Sequence, residues 1–182
     1  MTLKINFKKE DNKKTTGNIA LFVEDNFNNK SLFSHFLKDE LSYVRDLLKN
    51  KISKKKFLIL DISSKKKIIL IKIKSNQSAL ENEKLGAKFY DFIKLNEISN
   101  LTFLKQAEVK FQEVFYFNEF LHGLELKSYE FNIYKTKKKN KIIEINIPKK
   151  TLDYIKTIRD DAIVEGVKFT KDLVSEPGNI LH

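Results

Sequence analysis

The chain has 182 residues, enough for one well-buried core, and its 41% hydrophobic and 12% aromatic content describes a globular protein rather than a disordered one. It contains no cysteine, which excludes disulfides, thiolate catalysis and zinc fingers; the charged, alternating start MTLKINFKKE is unlike a signal peptide, and no apolar run approaches the roughly 18 to 20 residues of a membrane span. The formal charge of +11 is carried almost wholly by lysine, with Arg45 and Arg159 the only guanidinium groups, so the expectation is a cytoplasmic protein with a solvated basic surface and only weak, non-specific nucleic-acid binding.

Taken in chain order, Leu3 to Phe7 alternates at period two and Asn18 to Val23 is a short apolar run after Gly17; both read as strands. Between Ser31 and Leu48 the apolar residues Leu32, Phe33, Phe36, Leu37, Leu41, Val44, Leu47 and Leu48 recur at three and four, which is one face of a helix with Ser31 as its cap. Phe57 to Leu60 and Ile68 to Ile73 form two strands, joined through Asp61-Ile62-Ser63-Ser64 and lysines as a hairpin. Ala79 to Ile93 predicts a helix, Leu101 to Leu104 a strand, and Ala107 to Leu124 a helix with Val109, Val114, Phe117, Phe120, Leu121 and Leu124 near one face. Lys141 to Ile147 is the last strand, closed by Pro148, and Leu152 to Val174 carries helical spacing through Leu152, Ile155, Ile158, Ala162, Phe169 and Leu173. Strands alternating with helices imply an α/β layered domain with a mixed sheet. The lysine clusters 54–56, 65–67 and 137–139 each precede a strand and read as solvated loop ends.

The familiar catalytic constellations are missing from this sequence. His35, His122 and His182 lie in unrelated segments without metal-ligand spacing. Asp160 and Asp161 are adjacent on a helix and therefore point about 100° apart, a poor arrangement for sharing a metal or a proton. The five glycines are scattered, so no phosphate-cradling loop exists. Residue chemistry alone reaches a soluble α/β domain and leaves its function open.

Two stretches go further. Gly166 to Asn179, GVKFTKDLVSEPGN, resembles the segment that opens the catalytic domain of the leucyl (cytosol) aminopeptidases: Asp172, Leu173, Val174, Pro177 and Asn179 match the family pattern, while Lys171 stands for the usual Arg and Ser175 for the usual Asn. His122 to Lys139 is similar to a second family segment through Gly123, Leu126, Tyr129, Phe131, Tyr134 and Lys135. These residues are read as structural: the tyrosines cover apolar surface while their hydroxyls and Lys135 reach polar partners, Gly166 lets its helix lie close to a neighbour, and Pro177-Gly178 ends that helix.

The resemblance implies a mixed-sheet, macro-domain-like, three-layer N-terminal α/β domain over 1–150 without catalysis, a linking helix over 151–175, and at 176–182 the start of a C-terminal peptidase domain that is missing from this chain. It implies further that the two divalent metals of the family, zinc or manganese, and all catalytic residues belong to that other domain, so that this chain holds no cofactor and is inactive alone. The expected role is assembly and access in a homo-oligomer, a hexamer in the full enzyme. The alternative is a free-standing macro-like module binding nucleotide, ADP-ribose or nucleic acid, against which the missing glycines and scarce arginine count.

Overall fold

The computed structural model describes residues 2–8, 17–24, 41–42, 45–46, 55–74, 76–104, 117–134, 141–148 and 158–178. They form strands β1 (Thr2–Lys8), β2 (Ile19–Glu24), β3 (Phe57–Ser63) and β4 (Lys66–Ile73), helix α1 (Ala79–Leu95), β5 (Asn100–Phe103), α2 (Phe117–Ser128), β6 (Ile142–Pro148) and α3 (Ile158–Ser175). The six strands make one sheet in the order β1-β6-β5-β2-β4-β3. Every neighbouring pair is parallel except β3 and β4, which are antiparallel. This is a mixed-sheet α/β fold.

Period-two alternation decides which face each strand residue takes. On one face Ala20, Phe22, Ile69, Ile71, Leu101, Phe103, Ile143 and Ile145 join the buried residues of α1 and α2 in a single core. Five phenylalanines fill its centre: the Phe22 ring stacks on Phe103 at 5.5 Å and meets Phe117 and Phe120 edge-on at 5.7 and 5.3 Å, while Phe89 lies 5.6 Å from Phe120. On the opposite face Ile19, Leu21, Val23, Leu58, Leu60, Ile68 and Leu70 form a second core, with Leu41 packed against it. Leu41, Ser42, Arg45 and Asp46 are helical, in agreement with the periodicity around them; the rest of the helix predicted over 31–48 lies outside the described residues.

The opposite face changes character across the sheet. Over β1, β6 and β5 its central positions are polar, and the amides of three asparagines form a rail: Asn6 Nδ2 donates to Asn146 Oδ1 at 3.4 Å, and Asn146 Nδ2 to Asn100 Oδ1 at 3.2 Å. Mutual hydrogen bonding lets Asn146 be buried at little cost.

Helix α1 begins with a reciprocal cap: Glu81 N–H donates to Ser78 Oγ at 3.3 Å, and Ser78 N–H donates to Glu81 Oε2 at 2.8 Å. Helices α1 and α2 then cross in near backbone contact. A Cβ on Gly86 would sit 1.8 Å from Phe120 O, and one on Gly123 would sit 1.9 Å from Glu83 O, so only glycine fits at either crossing point. Among the described residues Gly166 has no such role: none of them lies within 4 Å of the Cβ it lacks, which corrects the close-packing expectation for that residue.

Two boundaries also move. The hairpin is tighter than the sequence suggests, because β3 continues through Asp61 and Ile62 to Ser63 with a register irregularity between Asp61 and Ser63. Pro148 is the final residue of β6 and pairs in register with Lys8. Of the last two predicted helices, residues 107–116 and 152–157 lie outside the described residues.

Candidate functional site

Helix α2 stops where Ser128 Oγ turns back to donate to Glu125 O at 2.7 Å, and residues 129–134 leave it as a short irregular arm. Helix α3 packs along α2 and brings its last two turns beside this arm. Val164 is buried, and Val167, Lys168, Lys171 and Asp172 are half-buried, which defines the inner face of α3.

The two sequence stretches that resemble the aminopeptidase family meet here. Tyr129 OH donates to Asp172 Oδ1 at 2.7 Å. Tyr134 OH donates to the Glu176 carboxylate one helical turn further on. Lys171 Nζ reaches back to donate to Leu126 O at 3.2 Å, supplying a donor to the end of α2 where backbone carbonyls lack intrahelical partners, and lies 5.3 Å from the centre of the Tyr129 ring. The Phe131 and Tyr134 rings pack together at 5.8 Å. From the other side Lys94, in the last turn of α1, holds Glu130 at 2.6 Å. The arm is thereby fixed to α1 by one ion pair and to α3 by two tyrosine–carboxylate bonds and a lysine.

The electrostatics follow from these contacts. The Lys94 ammonium holds the Glu130 carboxyl down at about 2, and Glu130 raises the pKa of Lys94 in return. Burial, together with the bond to Asp172, raises the Tyr129 hydroxyl, and the bond to Glu176 raises that of Tyr134. Both phenols are held as neutral donors to their carboxylates, an arrangement suited to joining two segments rather than to moving a proton.

Of the residues singled out in the sequence, Tyr129, Tyr134 and Asp172 enter the clamp, Leu126 contributes its carbonyl, Phe131 packs beside it, and Gly123 serves the α1–α2 crossing instead. Leu173, Val174 and Pro177 are exposed, and Lys135 and Asn179 lie outside the described residues. Sequence reasoning noted Lys171 only as a departure from the family pattern and gave no role to Glu176, Glu130, Lys94 or Gly86. The four-residue step from Asp172 to Glu176 places both carboxylates on one side of the chain and was the available signal. Among the described residues no group of three or more His, Asp or Glu could hold a metal ion, and no helix is long and apolar enough to cross a membrane.

No family model and no curated protein matches this chain. Solved structures do, in 85 chains. One is a mutant of tomato leucine aminopeptidase, 18% identical with a TM-score of 0.66, aligned over 98% of this chain and 39% of that one. The fold is that of the N-terminal part of a leucine aminopeptidase. At this identity the likeness concerns the fold alone, and the chain spans well under half of the enzyme it matches.

Proposed function

We propose that this chain is the non-catalytic N-terminal portion of a leucyl aminopeptidase-like metallopeptidase, with residues 1–150 as its α/β domain and α3 as the helix leading to a C-terminal peptidase domain. The observation that carries the reading is the Tyr129–Asp172 contact: two sequence stretches that independently resemble this family, 43 positions apart, are in direct contact on a fold shared with the N-terminal part of such an enzyme. In this reading the whole enzyme removes N-terminal residues from peptides with two divalent metals, zinc or manganese, held entirely by the other domain, and it works as a homo-oligomer in the cytoplasm.

The outer side of α3 supports a partner domain. Phe169 is 64% exposed, Val174 81% and Leu173 40%, although the inner side of the same helix already supplies Val164 to the domain's interior. A helix apolar on both sides is suited to lying between two bodies. Burying side chains of this size contributes roughly 1.5 to 3 kcal/mol each, enough to fix the orientation of an attached domain.

The test is to produce the matching peptidase domain from the same organism separately and mix it with the 182-residue chain. The chain alone should release no product from a leucine anilide in the presence of zinc or manganese, whereas the two polypeptides should co-purify and show chelator-sensitive turnover. Chelator-sensitive hydrolysis by the chain alone, or failure of the two to associate, counts against the reading; saturable ADP-ribose binding would favour the free-standing module.

A further inference from the structure

Strand β1 lies at one end of the sheet: β6 pairs with one side of it, and among the described residues nothing pairs with the other. An open strand edge is a template for another strand, and lysines on edge strands commonly oppose such pairing. Here the lysine has a specific acceptor available. Lys4 is exposed and carries no ion pair among the described residues. Two positions along on the same face, Asn6 spends its Nδ2 on Asn146, and its Oδ1 accepts no hydrogen bond among the described residues.

We propose that β1 is a self-pairing edge through which two copies of this chain join antiparallel, continuing one sheet across a twofold axis at Ile5. The register is set by the sequence. Centred on Ile5, all 7 residues of the strand are paired, Leu3 lies opposite Phe7, and Lys4 lies opposite Asn6. Each Lys4 ammonium then meets the open Asn6 Oδ1 of the other copy, twice by symmetry, and Leu3 covers the part of Phe7 that is solvent-exposed, 36% of its surface. The neighbouring registers that keep like faces together are both worse: one sets Lys4 against Lys4, the other sets Lys4 against Lys8, and each shortens the pairing. A single strand pair is a small interface, so the dimer is weak and reversible. Each copy carries a formal charge of +11, so the two bodies repel, and screening strengthens the association. The inference rests on β1 alone and is independent of the aminopeptidase reading.

Sedimentation equilibrium over a concentration series at low and high salt tests it on the full chain. A monomer–dimer equilibrium that tightens with salt is expected. Asn6→Lys, which sets lysine against lysine twice, should weaken it by about tenfold or more, and adding Lys4→Glu in the same chain should restore it. The natural absence of cysteine gives a clean register test, because directly opposed strand positions come within disulfide reach. A mixture of Lys4→Cys and Asn6→Cys chains should oxidise to the mixed dimer, and Lys4→Cys alone should not cross-link. A monomer at every concentration and salt, or equal cross-linking of Lys4→Cys with itself, overturns the proposal. Circular dichroism of each variant separates loss of pairing from loss of fold, and the wild-type sedimentation result stands whatever the variants do.

Discussion

The hydroxyl of Tyr129 donates a 2.7 Å hydrogen bond to Asp172, tying the arm that follows α2 to the next-to-last turn of α3. A hydrogen bond to a charged acceptor is stronger than one between neutral groups. Tyr129→Phe keeps the ring, and with it the contact to Lys171, while removing the hydroxyl that meets Asp172 and Ser175. Hydrogen exchange in the last turns of α3 should then speed up by about severalfold, while β2 and β4 stay protected. Equal acceleration throughout the sheet would mean that the contact supports the whole fold rather than the clamp.

The helix crossing gives a prediction whose sign is informative. Alanine in a helix interior ordinarily stabilises by about 1 kcal/mol relative to glycine. At Gly86 the added methyl would lie 1.8 Å from Phe120 O, which must move, so Gly86→Ala should destabilise by about 3 kcal/mol in urea titration. Gly166→Ala, with no described residue within 4 Å of the added methyl, should instead stabilise by up to about 1 kcal/mol. If both substitutions stabilise, the α1–α2 approach is looser than described here.

These two glycines also show what the sequence could convey. The strands were legible because Ile19 to Val23 and Ile68 to Ile71 are continuous apolar runs, as expected for strands buried on both faces, and α1 was legible from its helical spacing. The order of strands was not, since nothing local in Thr2–Lys8 says that it pairs with Ile142–Pro148. The same limit hid the clamp: Tyr129 and Asp172 could be named from family likeness, but their contact depends on how α3 lies along α2. Gly86 and Gly166 are both helical glycines within polar and apolar neighbours, and only the packing of a second helix tells them apart.

The Lys94–Glu130 pair sets an acid limb for stability. Glu130 is depressed from 4.5 to about 2, so its contribution is complete above the ordinary carboxylate value and is lost as pH falls from about 4.5 towards about 2. Glu130→Gln should flatten thermal stability over that window, with the arm at 129–134 loosening first. An unchanged acid profile would remove this pair from the account.

The tyrosines set the alkaline limb. Tyr129 and Tyr134 are raised above 10.0, so their contribution is present below the ordinary phenol value and is lost as pH rises through their folded values. Ultraviolet titration of phenolate formation should show both ionising late, and Asp172→Asn with Glu176→Gln should bring them back towards ordinary behaviour. Titration of all tyrosines as one ordinary group would contradict the two carboxylate bonds.

The central claim is that the clamp fixes α3 by its inner face and leaves its outer face for a peptidase domain. Hydrogen exchange of the 182-residue chain, alone and mixed with that domain, measures this most directly. The account predicts moderate protection of residues 164–172 in the chain alone, and a further increase concentrated at Phe169, Leu173 and Val174 on mixing. Full protection of that face in an isolated monomer, or no change there when the peptidase domain is added, would contradict it.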